Sequence, residues 1–443
     1  MKNSGFCAFS QCNGRSQVDH WRLVGASASI RVFDPVDDSG FLVTAIAAQA
    51  APHAQPPSAP PYSQSHAYAA TPARRFERVA VSSIFGDPMD RRTWSAAPYN
   101  VASCLQKLGI AVEGIHSGGT RGERGLLALH YMMTGYGRPH SSEAVLRLAS
   151  ARRKAAERLA ETARRRRIRH ILHTGTLDLP PVDREDGVKH YLYCDQTWAL
   201  SLAHRTDLSD YSRRAVESFE ESERAALDSV EHIFTFGHYV RDHMIAHYGL
   251  PPEKVTAVGS GMGQIEPYDQ PKDYSRPHLL FVAKHLFVAK GGNLLVDAFR
   301  IAQQQCPDLL LNIVGDPTSA GQAAAHPGIH FHPHLPWREL QRLYRVSSLL
   351  VQPMLNDPWG QVYLEALLSR TPVIGLRRNG LPEIVENGQH GFLVDDADPQ
   401  ALAWTILDAL SDPQRLVEMG WSGQQHVLQS YSWDAVANRI AFG

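Results

Sequence analysis

Asp357 and Glu365 stand eight positions apart in the run Asp357-Pro358-Trp359-Gly360-Gln361-Val362-Tyr363-Leu364-Glu365, and that run organises the rest of the chain. Ionised carboxylates accept hydrogen bonds from hydroxyl groups. Two of them flanking a glycine suit a ligand with a sugar or ribose beside its phosphates better than phosphate alone. Earlier in the chain, Lys284 is followed by Lys290, and Lys290 runs directly into Gly291 and Gly292. Ammonium groups are mobile donors and glycine lets the backbone close around phosphate, so this pair can grip a diphosphate or simply be two exposed surface cations.

These residues need a scaffold. The acidic run follows an apolar strand candidate, Leu349-Leu350-Val351-Gln352-Pro353, and leads into another, Pro372-Val373-Ile374-Gly375-Leu376. A strand, loop, helix, strand series puts the loop and first helical turn at the carboxyl edge of a parallel sheet. Free backbone N–H groups and the helix dipole there favour an anion. Gly360, Gln361 and Val362 form that helix mouth, with Asp357 before the helix and Glu365 inside it, so both acids can point into one cleft. Leu279–Ala283 is a buried strand leading to Lys284, and Leu294, Leu295, Ala298, Phe299 and Ala302 mark the following helix. A further strand runs from Leu309 to Val314 and ends at Gly315 and Asp316.

The preceding half has the same alternation. Val79–Ile84 reads as an opening buried strand, and a helix is predicted from Pro98 with Val101, Leu105 and Leu108 on one face, ended by Gly109. Ile110–Ile115 is the next strand. One helix is predicted from Glu143 to Arg167, ending in the basic run Arg164–Arg169, a contact for an anionic membrane surface or simply a solvated face. His170–Thr176 and Val188–Asp195 read as strands entering turns, which makes His173 and Asp195 cleft candidates, or residues that cap or orient a loop. Gly259–Gly263 reads as a glycine-rich linker.

The totals narrow the function classes. A chain of 443 residues suits two domains of common size plus an extension. Formal net charge is −1, which gives no global argument for nucleic acid. No apolar run reaches transmembrane length and the amino terminus lacks the form of a signal peptide, so a cytoplasmic protein, peripheral at most to the inner membrane face, is expected. The cysteines, Cys7, Cys12, Cys104, Cys194 and Cys306, are scattered and suggest neither disulfides nor a zinc site. His330, His332 and His334 would share one strand face, but Pro333 interrupts the strand and no acid or cysteine stands nearby, so no metal is expected. Residues 1–74 are read as a flexible extension poor in aliphatic residues, with short strand-like patches at Ser29–Phe33 and Gly40–Ile46.

The acid-x7-acid signature at Asp357 and Glu365 resembles that of retaining family 4 glycosyltransferases of the GT-B superfamily. Lys290-Gly291, the Asn379–Gly388 segment and Gly391–Val394 are similar to the same family. The resemblance implies an α/β chain with the GT-B fold, two Rossmann-like domains facing across a cleft. It implies an acceptor-side domain at 75–265, a nucleotide-sugar domain at 266–430, and a closing helix at 431–443 that returns to the first. The implied reaction moves a hexosyl unit from a nucleotide-diphosphate sugar to a hydroxyl of a glycan, lipid-linked glycan or small molecule, with retention and with no cofactor. Implied roles are charge stabilisation by Lys284 and Lys290, the sugar end for Asp357, the ribose for Glu365, and backbone approach to the donor at Gly315. Trp94 lies in a loop similar to a tryptophan-containing acceptor loop of one branch, and Asp195 begins a similar Asp-x-Thr segment. The family usually has glutamate at the position of Asp357, arginine near Lys284 with His285 as the competing alignment, and Gly-Thr where this chain has Ala96-Ala97. The competing reading is a noncatalytic GT-B-like protein that binds a nucleotide sugar or glycan.

Overall fold

The computed structural model describes residues 73–133, 142–178, 187–203, 213–263, 265–284, 286–317, 326–333 and 335–443. The expected extension up to residue 72, with its two strand-like patches, lies outside the described residues, as do His285 and His334.

Two six-stranded, all-parallel sheets follow one another along the chain and belong to the same structural unit. The first contains β1 (Arg78–Ser83), β2 (Ala111–His116), β3 (His170–Thr174), β4 (Lys189–Cys194), β5 (His232–Thr235) and β6 (Val255–Ala257) in the order β2-β1-β3-β4-β5-β6. The second contains β7 (His278–Lys284), β8 (Leu310–Gly315), β9 (Ile329–His332), β10 (Leu349–Val351), β11 (Val373–Leu376) and β12 (Gly391–Val394) in the order β12-β11-β10-β7-β8-β9. Both orders reverse direction beside their first strand. A crevice opens at that switch point, at the carboxyl ends of β1 and β3 in one sheet and of β7 and β10 in the other.

The helices that cover the first sheet are α1 (Ala97–Lys107), α2 (Arg121–Met133), α3 (Ser142–Leu146), α4 (Ala149–Arg166), α5 (Trp198–Ala203), α6 (Arg213–Ser229) and α7 (His238–Tyr248). The second is covered by α8 (Gly292–Gln303), α9 (Trp337–Val346), α10 (Gln361–Leu368), α11 (Leu381–Ile384), α12 (Pro399–Leu410) and α13 (Pro413–Ser430). Apolar faces set their orientation. On α8, Leu295, Val296 and Phe299 are fully enclosed, each contributing about 1.5–3 kcal/mol of burial.

The single helix expected over 143–167 is two helices. Leu148 takes ψ 138° before α4 begins, so the chain turns between α3 and α4 and lets Val145, Leu148 and Ala151 all enter one apolar cluster. Within the basic run, Arg166 pairs with Glu113 and donates to the Gly114 carbonyl, while Arg164, Arg165, Arg167 and Arg169 are exposed.

The last helix, α14 (Trp433–Phe442), leaves the second sheet and packs on α1 of the first. Lys107 and Asp434 are 3.2 Å apart there, and the Arg75 amide donates to the Ala441 carbonyl at 2.8 Å.

Candidate active site

Three helices open onto the crevices from left-handed N-cap residues that make no side-chain cap: α1 from Ala96, α8 from Gly291 and α10 from Gly360. Away from the crevices, Asp398, Asp412 and Ser432 cap α12, α13 and α14 in the ordinary way. The Gly292 amide at the start of α8 already donates to the Phe287 carbonyl at 2.8 Å, and the Tyr363 amide in the first turn of α10 to the Gly360 carbonyl at 3.0 Å. What these helix starts offer a phosphate is therefore chiefly the positive end of the helix dipole, with no side chain capping it.

At the β7 edge, Lys284 is exposed and takes φ 54°, a left-handed conformation that a non-glycine residue adopts at a cost. Gly315, at the end of β8, lies against it: a Cβ there would sit 2.4 Å from the Lys284 carbonyl oxygen. Only glycine permits that approach. The Asp316 amide completes it by donating to the Lys284 carbonyl at 2.6 Å.

The loop after Lys284 is zipped to the loop after β10. The Met354 amide donates to the Lys290 carbonyl at 2.9 Å, and the Asn356 amide to the Ala289 carbonyl at 2.8 Å. Gly291, at φ 87°, faces Pro353 so closely that a Cβ would be 2.6 Å from the proline ring. This contact brings Lys290 Nζ to 3.4 Å from Asp357 Oδ2, with the lysine buried.

Glu365 lies one turn inside α10 and is buried. Burial pushes its carboxyl up from the usual range, opposed by the Tyr344 hydroxyl, which donates to Oε2 at 2.9 Å, and by the charges of Lys284 and Lys290. The crossing segment touches it from the other side, since a Cβ on Gly263 would meet Glu365 Oε1 at 2.6 Å. Gly259–Gly263 is thus a packed part of the site and not a loose linker. Tyr193 donates to the Gly259 carbonyl at 3.0 Å, and Trp433 Nε1 to the Met262 carbonyl at 2.7 Å. Gln361 Nε2 reaches Ser260 Oγ at 3.5 Å while its buried Oε1 has no partner in the structure. The Val362 side chain is packed in the core, so only its backbone can serve a ligand.

On the first sheet, Trp94, Ser95 and Ala96 have φ values of 41°, 54° and 65°. The half-buried Trp94 ring is 5.5 Å from that of Phe236. Asp195, just past β4, is half-buried, and its carboxyl is raised to about 7 by burial first and by the charge of Asp357 second. His173 stands elsewhere. It is fully buried, with Nδ1 3.3 Å from Asp178 Oδ2 and Nε2 2.7 Å from His190 Nδ1, and Ser117 donates to the other Asp178 oxygen. Of its two expected roles, orienting the loop at Thr176–Asp178 is the one this placement serves; in this conformation it presents nothing to the cleft.

Glu383, Tyr239, Trp359 and Tyr344 line or support the site without having stood out as functional residues in the sequence. Trp359 and Glu383 lie inside the recognised segments, so proximity in sequence could have flagged them. Tyr239 has no such signal. No group of three or more potential metal ligands occurs among the described residues, and His332 instead bonds Asn312 Oδ1 at 3.0 Å.

The family of glycosyl transferases group 1 matches residues 266–426, the stretch that holds Lys284, Lys290, Asp357 and Glu365. Residues 266–426 are a glycosyl transferases group 1 domain. A D-inositol 3-phosphate glycosyltransferase of Corynebacterium kroppenstedtii is 27% identical over 267 residues, 55% of this chain and 59% of that protein. The counterpart from Streptomyces avermitilis is 30% identical over 228 residues, 45% of this chain and 48% of that protein. The chain thus spans about half the length of the curated relatives it matches. Among solved structures, sucrose-phosphate synthase from Thermosynechococcus elongatus aligns with TM-score 0.63 over 82% of this chain and 97% of that one, at 16% identity. WaaG, a glycosyltransferase involved in lipopolysaccharide biosynthesis, aligns with TM-score 0.60 over 82% of this chain and 100% of that one, at 15% identity. These likenesses concern the fold, which is GT-B, with two Rossmann-like halves. The glycosyl transferases group 1 domain therefore sits on the sheet that carries both lysines and both acids. No described helix is long and apolar enough to cross a membrane.

Proposed function

We propose that the chain is a retaining hexosyltransferase that uses a nucleotide-diphosphate sugar and needs no cofactor. The observation that carries this reading is the convergence of Lys284, Lys290, Asp357 and Glu365 with two uncapped helix starts at the β7/β10 switch point. The diphosphate would lie against the α8 and α10 N-termini with Lys284 and Lys290 as its cations. Glu365 would accept from the ribose and Asp357 from the sugar hydroxyls.

In the proposed reaction the bond from the sugar's anomeric carbon to the diphosphate oxygen breaks through an oxocarbenium-like transition state. The acceptor hydroxyl attacks from the same face, and its proton passes to the departing phosphate oxygen. The chain's contribution is fixed positive charge where the leaving group gains negative charge. Trp94 and Asp195 would meet the acceptor. The names of these relatives, D-inositol 3-phosphate glycosyltransferases, make an inositol phosphate one acceptor to include in the trial, beside glycans and lipid-linked glycans. The exposed side chains at Arg164, Arg165, Arg167 and Arg169 would supply contact with an anionic membrane surface.

A second reading, nucleotide-sugar binding without turnover, is favoured by the Lys290–Asp357 contact, which pairs a proposed donor-binding cation with an acid of the same site. Uridine, guanosine and adenosine diphosphate sugars, each with a mixed acceptor library and mass detection of products, separate the two. Transfer that falls sharply in Glu365→Ala and Lys290→Ala supports the enzyme. Saturable binding with no product supports the second reading, and no donor binding removes both.

A further inference from the structure

The two halves of the cleft are joined by a small set of hydrogen bonds centred on Tyr239, and the reacting groups lie immediately beside them. The Tyr239 hydroxyl is 2.6 Å from the Asp195 carbonyl oxygen, on the first sheet, and 2.8 Å from the Pro358 carbonyl oxygen, on the second. One hydroxyl has one proton, so it is shared between the two acceptors. The ring stacks on Trp359, with centroids 6.4 Å apart and planes at 12°.

The backbone of the same residue is held from the second half as well. Glu383 accepts from the His238 amide at 2.8 Å and from the Tyr239 amide at 2.7 Å, so a carboxylate on α11 caps α7 across the crevice. Gly237 leaves room for it, since a Cβ there would meet Glu383 Oε1 and the Trp359 ring at 2.9 Å. The Tyr431 hydroxyl donates to the Glu383 carbonyl at 2.7 Å and steadies α11 from behind.

The carbonyls that share the Tyr239 proton belong to an acceptor-side acid and to the neighbour of a donor-side acid. We infer that Tyr239 is a positioning residue, whose shared hydroxyl proton sets the gap between the Asp195 and Asp357 carboxylates, with Glu383 aligning α7 for that task. This rests on the proposed transfer reaction for its catalytic consequence, but the clamp itself consists of protein–protein hydrogen bonds alone. Misplacing reactants by a fraction of an ångström slows transfer without weakening a donor bound wholly to one half.

Tyr239→Phe keeps the ring and removes only the hydroxyl. Hydrogen exchange on the unliganded full chain comes first. Faster exchange confined to segments 195–200 and 357–363 in the variant, with circular dichroism unchanged, is the expected result. Unchanged exchange in both segments overturns the clamp, whether or not the protein transfers sugar. Kinetics on the same two proteins then test positioning. The expectation is about a tenfold lower kcat/KM for acceptor, a lower ratio of transfer to donor hydrolysis, and donor affinity within about twofold of wild type. Loosened exchange with identical transfer kinetics overturns the positioning role. Glu383→Gln, which retains an acceptor oxygen, is expected to show the same pattern in weaker form. A wild type that binds no donor refutes the transferase reading and leaves the exchange comparison valid.

Discussion

Lys290 Nζ lies 3.4 Å from Asp357 Oδ2 with side-chain exposures of only 7% and 23%. A cation proposed for the diphosphate and an acid proposed for the sugar thus hold each other in this structure. Asp357→Ala strands the enclosed ammonium, so unfolding in urea should show a loss of about 2 kcal/mol, below the range for a fully buried pair because Asp357 is partly hydrated. Lys290→Ala should reduce kcat by roughly 100-fold or more through lost charge stabilisation.

The Asp195 carboxyl gives a pH prediction whose sign is fixed by its direction. Its ordinary value is 3.8 and the folded value is about 7, so the native state holds the proton more tightly than the unfolded chain. Stability contributed by the neutral form is therefore lost as pH rises from about 4 to about 7. Thermal scans should show Asp195→Asn gaining on wild type as pH is raised from 5 to 8. Asp357→Asn removes the neighbouring charge, so the ionisation of Asp195, followed by its carboxyl resonance in NMR, should move to lower pH.

Gly315 is predicted to tolerate no side chain. In Gly315→Ala the new methyl would meet the Lys284 carbonyl oxygen at 2.4 Å, and backbone cannot yield as a side chain can. A stability loss of about 2 kcal/mol or more is expected by denaturant titration, within the range of overpacked sites. Donor binding should weaken at the same time because Lys284 is displaced.

Ala96 makes the opposite case. It has φ 65° at the start of α1, after Trp94 and Ser95 in the same region. Relief of left-handed strain is worth about 1–2 kcal/mol, reduced by the greater freedom of an unfolded glycine. Ala96→Gly should therefore stabilise by about 0.5–1 kcal/mol, measured by chemical unfolding. Equal or lower stability would show that the loop holds this geometry without cost.

The Glu365 carboxyl depends on Tyr344 for its hydrogen bond. Tyr344→Phe leaves a buried carboxylate short of a donor, and a loss of about 1–3 kcal/mol at neutral pH is expected. Because burial already favours the protonated form, that loss should shrink as pH falls toward the carboxylate range; a deficit independent of pH would assign the bond no role in ionisation.

Local patterns in the sequence carried much of this protein. Alternating apolar strand runs and helical stretches identify a parallel α/β chain, because strands buried on both faces need continuous apolar residues. Glycines beside charged residues mark the loops at 284–292 and 357–365, since close backbone approach admits no Cβ. The family resemblance implies glycine where this chain has Ala96, and Ala96 takes the left-handed φ of 65° that glycine adopts without strain. What local pattern could not carry is distance between segments remote in sequence. The His173 side chain turns inward because Asp178 and His190 satisfy it there, while Asp195 faces Asp357 only because two sheets meet. The break between α3 and α4 has the same origin, a tertiary core overriding continuous helical periodicity. Residue types and spacing along the chain determined which groups are candidates for binding an anion and a sugar; only tertiary packing decided that Lys290 meets Asp357 between neighbouring loops of one sheet, and that Glu383 caps α7 and one tyrosine proton spans both halves across the crevice.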